Sequence, residues 1–206
     1  MLRNIFTRLK RTDSQSLMQA QLHFDKGVRL AAEGAYENAV ENLKLAIRAD
    51  PDHEEARVQL GLAYHEMGQL TKAIRTYLSA LERDPRSVSA YKNLGAAYDD
   101  LGQFVQAFKV YAKAIVLAPQ DPELRNDLGF AYFNVGSYAE AIKAFRQALD
   151  LDPQNDRAHY GLGRVYLDLG DVSMALTEHS ELTGRNEKDM AVQLLDQIQR
   201  QSRQAS

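Results

Sequence analysis

Residues 54–86 read EEARVQLGLAYHEMGQLTKAIRTYLSALERDPR, and variants of this stretch precede and follow it along the chain. A shift of 34 residues superposes four columns of small or turn-forming residues without any insertion or deletion. A fixed period in this range is the signature of a protein built from stacked repeats. The columns are Gly27, Gly61, Gly95, Gly129 and Gly163; Gly34, Gly68, Gly102, Gly136 and Gly170; Ala39, Ala73, Ala107, Ala141 and Ala175; and Pro51, Pro85, Pro119 and Pro153.

Each repeat is predicted to form two helices. The second glycine column stops the first helix, and an Asp-Pro or similar pair ends the second because proline disfavours helical geometry in the residue before it. The first helix is expected to start at the capping-box pattern of Thr12 to Gln15 and to run to about Glu33. The other predicted helices are 36–49, 54–67 with 70–83, 88–101 with 104–117, 122–135 with 138–151, and 156–169 with 172–183.

The spacing also predicts how the helices pack. Glycine inside a helix costs about 1 kcal/mol relative to alanine, so its recurrence at one helical position indicates a close approach between helices. Alanines on the second helices are also expected to allow a close approach between helices. Aromatic residues are expected to fill the space between hairpins, namely Tyr64, Tyr77, Tyr98, Tyr111, Tyr132 and Phe145.

These columns resemble the tetratricopeptide repeat over roughly residues 20–186. The resemblance implies an all-α, right-handed superhelical solenoid of five helix hairpins, near 20–53, 54–87, 88–121, 122–155 and 156–186, with a concave groove lined mainly by the first helix of each pair. Its motif residues are Leu60, Gly61, Tyr64, Ala73, Tyr77, Ala80 and Pro85, then Leu94, Gly95, Tyr98, Ala107, Tyr111, Ala114 and Pro119, then Leu128, Gly129, Tyr132, Ala141, Phe145, Ala148 and Pro153.

The ends of the chain differ from the repeats. Residues 1–13 form a basic segment with four cations and one carboxylate, in which an apolar arc of roughly 100° predicts a short amphipathic helix. That segment could contact a membrane or a partner, or it could cap the first repeat or lead into it without structure. Residues 187–206 are predicted to form a capping helix and tail, with a dimerising helix as the alternative. The candidate contact residues of the basic segment are Leu2, Ile5, Phe6, Arg8 and Leu9.

Composition argues against several functional classes. The 206 residues include no cysteine, which removes disulfides and thiolate chemistry and is compatible with a reducing cytoplasm. A net charge of -3 argues against general nucleic-acid binding. His65-Glu66 begins like a zinc-protease motif, but Gln69 stands where the second histidine is needed. The sequence therefore predicts no enzyme, cofactor, metal site or small-molecule substrate, and no run of apolar residues long enough to span a membrane.

The first helices carry side chains that the packing pattern leaves free. Their apolar members exceed what a solvated helix face shows, which suggests anchor pockets for a peptide or helix. Their amides can pair with an extended backbone, and Lys92, Arg157 and Arg164 can meet acidic side chains. Phe24, Val28 and Gln59 lie on the same face. The predicted peptide-binding residues are Val58, Leu62, Lys92, Asn93, Asn126, Phe130, Phe133, Tyr160 and Arg164.

The sequence thus predicts a cytoplasmic, non-enzymatic adaptor that binds a peptide or helix of a partner protein in its groove for complex assembly. The alternative is a self-assembling structural scaffold on a membrane or bacterial organelle surface, contacted through the N-terminal helix. Under this alternative the chain forms a homo-oligomer and makes a peripheral membrane contact. The family includes scaffolds of this kind around magnetosomes, but that likeness is one of fold only.

Overall fold

The computed structural model describes the backbone of residues 2–183 and 188–204 and the side chains of 14–183, 189–201 and 203. Within these ranges the chain is helical, with no strand. This confirms the predicted all-α fold of repeated helix hairpins. The helices are α1 Leu2–Ala32, α2 Tyr36–Ala49, α3 Glu54–Glu66, α4 Leu70–Arg83, α5 Val88–Asp100, α6 Phe104–Leu117, α7 Pro122–Asn134, α8 Tyr138–Leu151, α9 Asp156–Asp168, α10 Val172–Thr183 and α11 Lys188–Gln204.

The chain divides into two compact units, Met1–Gln103 and Phe104–Ser206. In the first, which we call unit 1, α1 packs against α2 and α3 against α4, and the first helices α1, α3 and α5 contact one another in series. In the second, unit 2, α7 packs against α8 and α9 against α10, and α7 contacts α9. Each unit therefore presents a surface formed by neighbouring first helices, which is where the predicted binding residues lie.

Glycines end the first helices as predicted. Gly68 follows α3 with φ of 68°, a left-handed conformation that other residues adopt at a cost. The amide of the next residue, Gln69, then donates to the carbonyl of Tyr64 at 2.8 Å, which closes the helix end. Gly34, Gly102, Gly136 and Gly170 have the same backbone conformation, with φ between 72° and 80°. This shared turn sets the start of each second helix.

Four first helices begin at equivalent polar residues. The side chain of each accepts a hydrogen bond from a backbone amide in the first helical turn, which satisfies a donor that the helix itself leaves unpaired. The bonds join Ala56 N to His53 Nδ1, Ala90 N to Ser87 Oγ, Glu123 N to Asp121 Oδ1, and Ala158 N to Asn155 Oδ1. These caps fix the start of the helices that carry the candidate site.

The predicted start of the first helix is wrong. A single helix, α1, runs from Leu2 to Ala32 without a break at Thr12 to Gln15. Neither glycine nor proline occurs before Gly27, so nothing in this stretch forces the helix to begin late, and a capping residue inside a helix is tolerated. The side chains of Leu2, Ile5, Phe6, Arg8 and Leu9 lie outside the described residues, so their proposed contacts stay predictions.

The helix glycines allow the close approach that their recurrence predicts. A Cβ atom at Gly61 would lie 2.4 Å from a ring carbon of Tyr77. In unit 2 the ring of Phe145 lies against both Gly129 and Gly161, where added Cβ atoms would approach it to 2.7 and 2.4 Å. Tyr77 and Phe145 are themselves fully buried. The aromatic rings of the second helices therefore fill space that only glycine leaves open on the first helices.

The last helix closes unit 2. Ala191, Leu194 and Ile198 of α11 are buried in one apolar cluster with residues of α9 and α10. Gln201 Nε2 donates to the carbonyl oxygen of Leu167 at 2.8 Å, near the end of α9. Since α11 covers the outer faces of the last hairpin, it takes the capping position that the sequence predicts.

Candidate functional site

A pocket of about 630 Å³ opens on the first helices of unit 1. We call it the unit 1 pocket. Two of the predicted binding residues, Val58 of α3 and Asn93 of α5, line it, and Val58 is almost fully buried. Residues from three helices form its wall, which are Phe24, Asp25, Val28, Arg29 and Ala32 of α1, Glu55, Val58 and Gln59 of α3, and Ser89 and Asn93 of α5.

The unit 1 pocket combines an apolar wall with unpaired amides. The ring of Phe24 contacts that of His53, with 4.7 Å between the centroids. Gln59 and Asn93 are half-buried, and neither amide has a hydrogen-bond partner among the side chains that the structure describes. Each amide therefore offers two donors and an acceptor to a ligand.

A second pocket, of about 300 Å³, continues this surface along α1 and α3. It shares Val28 and Gln59 with the unit 1 pocket and is also lined by Leu62, a predicted binding residue. Lys92, another predicted residue, is half-buried on α5 and lines neither of these two pockets. The structure thus brings Val58, Leu62 and Asn93 to one surface and leaves Lys92 beside it.

Asn126 differs from the prediction because it does not face a ligand. Its side chain is fully buried, and Nδ2 donates to Asn155 Oδ1 at 2.7 Å and to Glu123 Oε1 at 3.3 Å. Asn155 Nδ2 also donates to Glu123 Oε1, at 3.0 Å. The amide is turned inward because these partners lie at the junction of α7 and α9. Asn126 therefore holds two first helices together rather than forming part of an open surface.

The same network continues to Arg157 of α9. Its guanidinium pairs with Glu123 Oε2 and, at 3.1 Å, with Asp127 Oδ1. Burial alone would lower the pKa of Arg157, but the charges of Asp127 and Glu123 outweigh that effect and raise it. Two carboxylates thus already compensate the charge of this arginine.

The remaining predicted residues of unit 2 form a cluster of aromatic rings and arginines. Phe130 meets the buried ring of Phe145 edge-on, with centroids 4.9 Å apart, and Arg157 lies 5.7 Å above Phe130. Arg164 lies 4.6 Å from the centroid of Phe133 and 5.9 Å from that of Tyr160. Phe130, Phe133, Tyr160 and Arg164 are therefore together, half-buried, on α7 and α9.

Sequence reasoning left several of these positions out of the predicted set. Phe24, Val28 and Gln59 line the unit 1 pocket; the sequence placed them on the same face and in the same 34-residue columns as the predicted residues, but they were not included in the predicted binding set. Asn155 was also missed. The sequence pattern that could have identified Asn155 is the column of helix-capping residues that begins with His53.

The described residues contain neither a metal-binding cluster nor a membrane-spanning helix. Among them there is no group of three or more histidine, aspartate or glutamate side chains placed to hold a metal ion. None of the described helices combines the length and apolar character needed to cross a membrane.

Comparisons with known proteins agree on the repeats. A family model described as "TPR repeat" matches residues 98–136 and 135–170, and one described as "Tetratricopeptide repeat" matches residues 30–98. No curated protein sequence matches the chain.

Several solved structures have a similar fold. A thermophilic TPR protein from Thermus thermophilus aligns with a TM-score of 0.73 and 24% identity, over 87% of this chain and 98% of that one. MamA from Desulfovibrio magneticus, residue 41 to its end, aligns with a TM-score of 0.68 and 25% identity, over 86% and 96%. Another MamA crystal structure aligns with a TM-score of 0.64 and 23% identity, over 90% and 92%.

Proposed function

Because the chain belongs to the tetratricopeptide repeat family, we propose that it is a non-enzymatic adaptor that holds a peptide or helix of a partner protein against its first helices. The family's repeats are in general protein-interaction modules. The finer proposal is that the unit 1 pocket anchors the partner and that the complex forms in the cytoplasm. The absence of cysteine is compatible with that compartment.

The observation that carries this proposal is the pair of unpaired, half-buried amides beside an apolar wall. Gln59 and Asn93 come from neighbouring helices, and an extended peptide offers backbone donors and acceptors that suit such amides. Phe24, Val28 and Val58 supply the apolar contact that binding needs to offset the loss of side-chain and peptide freedom. The pocket volume, about 630 Å³, accommodates one or two side chains of a partner.

A blocking variant tests the pocket. Ser89→Arg places a long side chain at an exposed position of the pocket wall on α5, so we expect it to weaken binding of the natural partner about tenfold or more without loss of helicity. Thr71→Arg adds the same charge at an exposed position on α4, a second helix, and is the matched control. The measurement is quantitative capture from native lysate with all three proteins, followed by calorimetry with the recovered partner.

The comparison between the two arginine variants decides the outcome. A partner lost with Ser89→Arg but retained with Thr71→Arg would support an adaptor that uses the unit 1 pocket. Equal recovery of the partner by all three baits would contradict the proposal, because blocking the pocket with Ser89→Arg should reduce the recovery of a partner that binds there. Recovery of only further copies of the chain would point to the second candidate below.

The second candidate is a structural scaffold on a membrane or organelle surface. One observation favours it: α1 exposes three large apolar side chains, Leu17 at 54%, Met18 at 66% and Leu22 at 60%, directly after the basic N-terminal segment. Basic amphipathic helices of this kind lie on anionic membranes through combined charge and apolar contact.

This candidate predicts sedimentation of the full chain with vesicles of phosphatidylserine and phosphatidylcholine. Arg8→Glu reverses one charge in the basic segment, and we expect about a tenfold loss of vesicle binding because each basic residue near an anionic surface contributes about 1 kcal/mol. Arg48→Glu makes the same change at an exposed position of α2 and serves as control. A wild-type chain that stays monomeric and remains in the supernatant would exclude the scaffold.

A further inference from the structure

Two arginines on the same side of α9 have different surroundings. Arg157 and Arg164 are seven residues apart, about two helical turns, and both lie above phenylalanine rings of α7. Arg157 is compensated by Glu123 and Asp127. Among the side chains that the structure describes, Arg164 has neither a carboxylate nor a hydrogen-bond partner. Of the two, only Arg164 keeps its full charge available to a ligand.

The guanidinium of Arg164 is held in place by rings rather than by acids. It lies 4.6 Å from the centroid of Phe133 and 5.9 Å from that of Tyr160. Aromatic contacts of this kind restrict an arginine side chain while leaving its N–H groups free to donate. A restricted side chain loses less conformational freedom when a ligand binds, so its hydrogen bonds contribute more to affinity.

Neighbouring groups add a further donor, and none of the carboxylates that the structure describes forms an ion pair with Arg164. Gln197 Nε2 of α11 lies 3.5 Å from the hydroxyl oxygen of Tyr160 and donates to it, so the hydroxyl hydrogen remains available. Asp168, one turn beyond Arg164, is exposed and accepts a hydrogen bond from the Tyr138 hydroxyl at 3.2 Å. The surface around Arg164 is therefore rich in donors and bordered by apolar rings.

We propose that Arg164 and Tyr160 bind the carboxylate of an aspartate or glutamate side chain in the partner, with a neighbouring apolar residue of the partner on Phe130 and Phe133. The inference rests on the proposed adaptor function and names the chemistry of its partner. A carboxylate matches the planar donor edge of a guanidinium and accepts two hydrogen bonds from it. An apolar side chain next to the acid matches the exposed parts of the two phenylalanine rings.

The test is an array of synthetic 12-residue peptides that cover the sequence of the partner recovered from lysate, in which each aspartate or glutamate is compared with its amide counterpart and with lysine and arginine. The full-length wild type is expected to prefer the acid form about tenfold at one position beside an apolar residue, since charge-assisted hydrogen bonds exceed neutral ones by that order. Arg164→Gln should abolish the preference, and Arg164→Glu should transfer it to lysine or arginine. Arg200→Gln removes an exposed arginine of α11 and should change nothing.

Two results overturn the inference, and they are distinguishable. If the wild type binds peptides but does not prefer the acid form, or if Arg164→Glu keeps that preference, the carboxylate assignment is wrong while the adaptor function stands. If the wild type binds no peptide on the array, the adaptor function fails with it. Circular dichroism of each variant confirms that the helices are retained before the arrays are compared.

Discussion

Replacing Phe145 with alanine is expected to destabilise the protein by about 3–5 kcal/mol, because the change removes a fully buried ring. The ring occupies the space between Gly129 and Gly161, and neither glycine has a side chain that could move into the vacated volume. The cavity therefore remains open instead of being filled by neighbours. Urea unfolding monitored by circular dichroism at 222 nm measures the loss directly.

The opposite substitution tests the same packing. Gly161→Ala places a Cβ atom 2.4 Å from Phe145 Cζ, so the ring or a helix must shift, at an expected cost of about 1–3 kcal/mol. Combining Gly161→Ala with Phe145→Leu should cost less than the sum of the two single changes, since a smaller side chain accommodates the methyl group.

Val116→Ala is the control for both changes, because Val116 is 80% exposed and its truncation should stay within about 0.5 kcal/mol. A loss below about 1 kcal/mol for Phe145→Ala would contradict the packing argument.

The period in the sequence was sufficient to predict the fold because it specifies the turns. Gly68 and its equivalents reverse the chain at fixed intervals, so helix ends follow from their positions. Four first helices end one residue earlier than predicted, since the residue before the glycine, Met67 in α3, already serves as the helix cap. The single large error, the start of α1, occurs where the repeat has no glycine or proline to define a boundary.

The candidate site was only partly predictable because helical spacing gives the face of a residue and not its partners. Asn126 stands in the same column as Val58, yet its amide turns inward to Asn155, which lies 29 residues away. That orientation depends on Asn155, the residue that caps the first helix of the next repeat, which is another amide. A column of equivalent positions therefore identifies candidates, and the neighbouring repeat decides which of them a ligand can reach.

Side-chain size differs between the first-helix surfaces of the two units. One column of the first helices reads Val28, Leu62, Ala96, Phe130 and Arg164. In unit 1 the aliphatic Val28 lines both pockets and Leu62 lines the smaller one. In unit 2 the rings and guanidinium groups of the column and its neighbours stack on one another. The period predicts where a groove lies, but the identity of each residue decides whether it is open.

Truncating Leu194 to alanine is expected to cost about 2–5 kcal/mol and to loosen α11 from the last hairpin. The side chain of Leu194 is fully buried, and a Cβ atom added at Gly163 would lie only 2.5 Å from its Cδ2 atom. Val192→Ala, on the same helix but 57% exposed, should stay within about 0.5 kcal/mol. Thermal and urea unfolding compare the two variants.

Light scattering of the same two variants separates a cap from a dimerising helix. If α11 serves as a cap, Leu194→Ala destabilises the chain whatever its association state, because the apolar faces of α9 and α10 lose their cover. A dimerising helix would instead use its exposed face, so Val192→Ala should then lower the mass of the particle in solution while Leu194→Ala chiefly lowers stability. The buried position of Leu194 in a cluster with Val165 and Leu182 favours the cap, since one side of α11 is already satisfied within its own chain.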